Sequence, residues 1–306
     1  MTVVSAVSAG SLGNGLVVAA HGRHCMVEAA DGSRLLCHAR GKKSAVLVGD
    51  RVHWQPAGDE GVIDKVAERR NLLFRQDEWK TKSFAANLDQ LLVLVAVEPM
   101  YAETQLARAL IAAGSAGIPT VIILNKTDLP TLAAARERLA PYGRMGVTVL
   151  ELSLKSQGDA ATALLTPLLE GKATLVLGPS GMGKSTLINL MVPAADVQVG
   201  EISKALNAGR HTTTDTRWYW LDGERRTALI DSPGFQEFGL RQLKPTDLGP
   251  LMPDIGSLAQ ACRFYNCSHL HEPGCGVREA LARGEIHPSR YRIYNELHAE
   301  LSATKY

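Results

Sequence analysis

The octapeptide Gly178-Pro179-Ser180-Gly181-Met182-Gly183-Lys184-Ser185 constrains this chain more than any other feature. It satisfies G-x-x-x-x-G-K-[ST], with an apolar strand-like run before it (173–177) and a helical-looking run after it (186–191), which is the context the pattern requires. Glycines let successive backbone N–H groups turn inward around phosphate oxygens, and the helix N-terminus adds a favourable dipole. Lys184 is then placed for the β- and γ-phosphates and the Ser185 hydroxyl for Mg²⁺, with Thr186 next in the first turn.

A second tetrapeptide, Asn125-Lys126-Thr127-Asp128, directly follows the strand-like 120–124, at the carboxyl end where parallel sheets bind ligands. There the Asp128 carboxylate can accept from guanine N1–H and the N2 amine, which adenine lacks, a bidentate contact that discriminates by ~1–3 kcal/mol. Alone such a turn is also a good helix cap. Paired with the phosphate loop, it selects GTP over ATP. Asp231-Ser232-Pro233-Gly234 follows the strand-like 227–230 and suits an Asp231 facing Mg²⁺ through water and a Gly234 N–H at the γ-phosphate. Between them, Gly209-Arg210-His211-Thr212-Thr213-Thr214 can offer a Thr hydroxyl to Mg²⁺, from any of the three threonines, while Ser153-Leu154-Lys155 can back the guanine ring.

With 306 residues, 45% hydrophobic and 21% charged, the chain suits two or three globular domains. Short alternating runs at 15–20, 25–28, 35–38, 50–55 and 61–66 predict a small β-barrel, preceded by fourteen uncharged residues expected to be a flexible lead-in. From about Ala86 the rhythm becomes βαβ, with strands at 91–97, 120–124, 147–150 and 173–177 and helices at 103–113, 132–139 and 160–169, hence a parallel sheet covered on both faces. Helices are expected again at 277–283 and 288–302. The run 91–97 is the longest apolar stretch, far short of a membrane span, and no signal-type leader is visible, so a cytoplasmic protein without a membrane partner is expected. A net charge of +2 imposes no overall field.

Cys262-x4-Cys267-x-His269-x5-Cys275 offers three thiolates and an imidazole, a closed tetrahedral set suited to one structural Zn²⁺, with His271 a rival fourth ligand. The other two of the five cysteines, Cys25 and Cys37, lie on presumed strands and read as small core residues.

In this chain the base-reading tetrapeptide precedes the phosphate loop, the reverse of the Ras-like order. The sequence therefore resembles a circularly permuted GTPase, and with GxxHTTT, DSPG, the Cys/His cluster and Gly49-Asp50-Arg51-Val52 it resembles the RsgA (YjeQ/EngC) family. The likeness implies a circularly permuted α/β P-loop GTPase core (76–242), an N-terminal OB-type β-barrel (1–75) and a C-terminal zinc-binding helical domain (243–306). It also implies GTP hydrolysis to GDP and phosphate, stimulated by the small ribosomal subunit during that particle's late maturation. His269, rather than His271, is the zinc ligand the resemblance implies. Ras-type enzymes orient water with a Gln directly after DxxG, but here Phe235 holds that place and Gln236 the next; the resemblance implies His211 as the water-positioning residue. Because the chain runs from Gly234 straight into the last domain, ordering of the DSPG loop is expected to be passed to that domain. An OB-type barrel suggests rRNA contact, for which Arg40, Lys42, Lys43, Arg51, Trp54, Arg69, Arg70 and Arg75 are candidates, and Arg290, Tyr291 and Arg292 either meet RNA or pack. A monomer is the default expectation.

Overall fold

The structure, a computed structural model, describes residues 13–21, 24–40, 46–76, 81–195, 216–232 and 239–303. Alternation of apolar and polar residues produces five strands at the N-terminal end: β1 (Gly13–His21), β2 (His24–Ala29), β3 (Arg34–Ala39), β4 (Arg51–Ala57) and β5 (Glu60–Val66). They pair in the order β1-β2-β3-β5-β4 and close through β1–β4, with β3 and β5 parallel and the other pairs antiparallel. This closed Greek-key barrel has the OB topology and no free edge. Its interior holds Val17, Cys25, Val27, Cys37, Val52, Trp54 and Ile63. Both cysteines are free core residues as expected, and burial pushes their thiols up to about 12 for Cys25 and about 11 for Cys37. Strand β1 already begins at Gly13, so the last two positions of the expected lead-in belong to the sheet.

A hairpin that the sequence reading passed over, β6 (Leu72–Gln76) with β7 (Thr81–Ala86), follows the barrel. It straddles the 75/76 boundary. Asparagines fix its base: Asn71 donates from Nδ2 to Leu88 O and accepts at Oδ1 from Leu88 N, while Asn87 Nδ2 donates to Gly49 O. Nearby, the fully buried Asp50 accepts from Leu47 N and, through both oxygens, from Arg69.

The second sheet comprises β8 (Gln90–Ala96), β9 (Thr120–Asn125), β10 (Thr148–Glu151), β11 (Ala173–Leu177), β12 (Arg217–Trp220) and β13 (Ala228–Asp231), in the order β10-β9-β8-β11-β13-β12. All neighbours are parallel except β12 on β13, a strand absent from the sequence reading. Every residue of β8 is buried, as a strand covered on both faces must be. The covering helices are α1 (Glu103–Ser115), α2 (Leu132–Arg144), α3 (Gly158–Leu169) and α4 (Lys184–Met191). In α1, Leu106, Ala109 and Ala113 recur on one face and bury it, and Glu103 in the first turn favours the helix dipole. Strand β12 also pairs with β1 at Ala19↔Arg217, joining barrel and core into one eleven-stranded sheet.

The C-terminal part has no strand among its described residues. Its short helices α5 (Leu248–Leu251), α6 (Pro253–Gly256) and α7 (Gly276–Ala282) lead to α8 (Pro288–Ser302), which starts with Pro288 at the first helical position and the His287 side chain accepting from Ser289 N. Arg290 anchors α8: its buried guanidinium is 2.7 Å from Asp254 and lies 4.9 Å from the Tyr142 ring centroid on α2.

Candidate functional site

Strand β11 ends at Leu177 and the chain turns through residues 178–183 into α4, so the phosphate-loop motif sits at the carboxyl end of the middle of the parallel sheet. Gly181 and Gly183 take φ +81° and +105°, conformations a side chain would strain. Space also excludes one: a Cβ on Gly183 would stand 2.3 Å from Asn125 Nδ2. That contact is the centre of the site. Asn125, 2% exposed at the end of β9, donates from Nδ2 to Met182 O at 2.8 Å and accepts at Oδ1 from Leu154 N at 3.0 Å. One side chain thus fastens the phosphate loop, the Asn125–Asp128 turn and the Ser153–Lys155 turn together, since each backbone group it meets would otherwise be buried unpaired.

Beyond Asn125 the backbone is unusual, with Lys126 at φ +63° and Thr127 N donating to Leu152 O at 3.3 Å. This brings Asp128 over the buried Ser153, whose hydroxyl donates to Asp128 Oδ1 and accepts from Ser156 Oγ at 2.7 Å. The Ser153 hydroxyl holds the Asp128 carboxyl below the ordinary carboxylate range. Sequence reasoning named Ser153 but missed Ser156, for which no spacing rule gives a signal. Lys155 is exposed.

At the other side of the loop, Lys184 Nζ donates to Asp231 Oδ1 at 2.7 Å and to Ser232 O at 2.6 Å, and Ser232 Oγ donates to Val176 O at 3.1 Å. Because β11 and β13 are adjacent and parallel, Asp231 emerges beside the loop, 1% exposed, with its charge matched by Lys184. Ser185 and Thr186 lie half-buried in the first turn of α4. His211, Thr212, Thr213, Thr214, Gly234, Phe235 and Gln236 lie outside the described residues.

The Cys/His cluster assembles from loops. Donor atoms of Cys262, Cys267, His269 and Cys275 all lie within 4.8 Å of one another. Cys262 Sγ is 3.4 Å from His269 Nδ1 and 3.9 Å from Cys275 Sγ, and Cys275 Sγ is 3.6 Å from that nitrogen. A tetrahedron with Zn–S of ~2.3 Å and Zn–N of ~2.0–2.1 Å has edges of about 3.6 and 3.8 Å, so the donor set fits zinc. His271 is exposed and outside the cluster. Tyr291 donates to His269 O at 2.8 Å and Tyr294 to Ser268 O at 2.9 Å, so α8 braces the turn that presents the imidazole.

A family model described as RsgA GTPase matches residues 66–241, which hold both nucleotide-loop clusters. The chain belongs to the RsgA GTPase family. It is a GTP-hydrolysing enzyme with a circularly permuted α/β P-loop core behind a five-stranded barrel. Over 304 residues it is 60% identical to the small ribosomal subunit biogenesis GTPase RsgA of Variovorax paradoxus (strain S110), covering 98% of this chain and 96% of that protein. The Burkholderia pseudomallei (strain K96243) protein of the same name is 54% identical, covering 97% and 95%. The crystal structure of YjeQ from Thermotoga maritima superposes with a TM-score of 0.74 at 30% identity, over 96% of this chain and 99% of that one. YloQ, a circularly permuted GTPase, gives 0.70 at 26% identity, over 99% and 100%.

In this RsgA-family chain several candidate RNA contacts serve the fold instead. Trp54 is 5% exposed inside the barrel, because the β4 alternation points Val52 and Trp54 inward; it is not a surface platform. Arg69 neutralises buried Asp50, and Arg290 and Tyr291 pack as described. Arg40 pairs with Asp64 at 2.9 Å and Arg70 with Asp89 at 2.8 Å, Arg292 lies 3.7 Å from Glu296, and Arg51 is exposed. Lys42, Lys43 and the Arg75 side chain are outside the described set.

Proposed function

We propose that the protein binds the small ribosomal subunit through its rRNA and acts in that particle's late maturation in the cytoplasm, hydrolysing GTP to GDP and phosphate as a monomer. The observation that carries this is the Asn125 bridge, which holds the phosphate loop and the base-reading turn in one rigid arrangement. The names of the relatives from Variovorax and Burkholderia supply the particle. Three units do the work: a barrel (1–75), a GTPase domain (76–242) and a zinc-binding domain (243–306).

In this reading the amides of Gly178, Pro179's neighbours Ser180 to Gly183, and the first turn of α4 cradle the phosphates, while Thr127, Lys126 and Lys155 flank the base that Asp128 reads. Ser153 keeps Asp128 ionised and aimed. On GTP binding Lys184 is shared between Asp231 and the β/γ-phosphates, so developing charge meets a cation already held in place. Ser185 and Asp231 would hold the Mg²⁺ that accompanies GTP, which would supply further charge stabilisation there, and Thr213 or Thr214 and the Gly234 N–H would meet the γ-phosphate. His211 positions the attacking water. One Zn²⁺ on Cys262, Cys267, His269 and Cys275 is structural, since four protein donors leave no open position.

The test is phosphate release from GTP and from ATP by zinc-replete protein, alone and with purified small or large subunits. GTP-only turnover raised by the small subunit alone is expected. Equal use of ATP would refute the role of Asp128, and a His211→Ala protein with wild-type stimulated turnover would remove His211.

A further inference from the structure

The chain is only 5% aromatic, and most described aromatic side chains are buried or half-buried. Two are not. Tyr265 is 101% exposed and Phe264 40%, and they are adjacent. They lie in the loop Arg263-Phe264-Tyr265-Asn266, which runs from Cys262 to Cys267, so both its ends are donors of the zinc cluster. Among the described residues the other large exposed apolar side chains, Leu36, Met100 and Leu164, are isolated in sequence and need no explanation. An adjacent aromatic pair held out in water does.

The loop is stiff. Arg263 N donates to Gly274 O at 2.9 Å and Cys267 N to Phe264 O at 3.2 Å, closing it at both shoulders. A Cβ on Gly274, which has φ +68°, would already touch Arg263 Cβ at 3.3 Å. The Arg263 guanidinium lies 5.5 Å from the Phe264 ring centroid, leaving Tyr265 with both faces free. Rigid aromatics beside a guanidinium plane and the Asn266 amide match the chemistry that receives unstacked bases: π-faces to stack on, and donors and acceptors for base edges. A protein groove would instead favour a wider apolar patch.

We infer that the Arg263–Asn266 loop is a base-stacking platform for single-stranded RNA, with Tyr265 the principal contact. This rests on the small-subunit reading above and names the class of partner surface met by the zinc domain: unpaired bases, rather than duplex backbone. The residues from 243 to 306 carry equal numbers of Lys/Arg and Asp/Glu, so stacking rather than net charge drives the contact.

The test uses the intact, zinc-replete chain and a short oligouridylate carrying 4-thiouridine. Photolysis is expected to label the peptide containing Phe264 and Tyr265. Tyr265→Ala is expected to weaken binding about 5- to 150-fold, the span of one lost base–aromatic stack, while Tyr265→Phe binds like wild type and both variants keep their zinc and unstimulated GTP turnover. Label confined to the barrel, wild-type affinity of the Ala variant, or equal competition by a hairpin duplex overturns the proposal. So does a Tyr265→Ala protein that binds the oligouridylate normally and loses only small-subunit binding, because the partner is then a ribosomal protein. A wild-type chain that binds oligouridylate but no ribosomal subunit sinks the small-subunit reading and leaves the loop's preference for single strands intact.

Discussion

The nucleotide loops and the Cys/His knuckle are both built of irregular backbone, yet they are held by different means. The loops cap strands whose interior is close-packed; Leu94, Leu124 and Leu177, all fully buried, lie just behind them, and a single buried amide, Asn125, fastens one loop to the next. The knuckle stands on a 3₁₀ turn at Ala259–Ala261 and the short α7, whose Val277 and Ala280 are buried in the common core, and its four donors converge from loops. The lesson is that geometry at a strand end is inherited from the sheet, whereas in a strand-poor segment it depends on side chains brought together from loops and one long helix.

Metal removal separates the two most sharply. Structural zinc sites carry about 10–16 kcal/mol of coupled folding energy, so Cys262→Ser, or chelation of the wild type, is expected to abolish zinc retention and to expose amides around 259–275 to hydrogen exchange. Fluorescent guanine-nucleotide binding should persist, and its loss would break the contrast. Next comes Lys184→Ala, expected to cost about 10²–10³ in stimulated turnover. It also leaves the buried Asp231 carboxylate unmatched, lowering stability by roughly 3–5 kcal/mol. Adding Asp231→Asn should recover the melting temperature without recovering turnover, showing that the two losses are separable.

Asn125→Ala tests the fastening itself. Two backbone groups lose their partner at about 1–3 kcal/mol each, so guanine-nucleotide affinity, read by calorimetry, should fall about 10- to 100-fold while zinc content stays unchanged. The smallest effect belongs to Ser153→Ala, with about a 5-fold loss of affinity for one hydrogen bond to an exposed carboxylate. Ser153 depresses the Asp128 pKa, so the ionised form that reads guanine persists to lower pH in the wild type. Affinity of the variant should therefore fall away at a higher pH than that of the wild type as the solution is acidified. Superimposable pH profiles would discard this role.

Sequence made the nucleotide site legible because its residues are contiguous and their spacing follows from phosphate and base chemistry; Gly183, Lys184 and Asp128 stand where strand-end reasoning puts them. The Cys/His cluster was legible for the same reason, and geometry separated His269 from His271. What escaped were features set by long-range pairing. Strand β12 is only four residues, Arg217–Trp220, and takes its structure from β13 and the barrel rather than from periodicity. The β6–β7 hairpin has alternation too short to stand out. Trp54 misled because an indole beside arginines reads as a binding surface until the barrel closes around it.

The seam between barrel and core sets how a load would travel. Ala19 faces Arg217 across β1 and β12, and Trp220 Nε1 donates to Glu28 Oε1 at 2.7 Å from the neighbouring strand, so the two bodies meet through hydrogen bonds on both sides of one edge. Such a joint resists torsion as a welded corner does. Strand β12 also lies against β13, which ends at Asp231, so whatever grips the barrel pulls on the strand beside the one that presents that carboxylate.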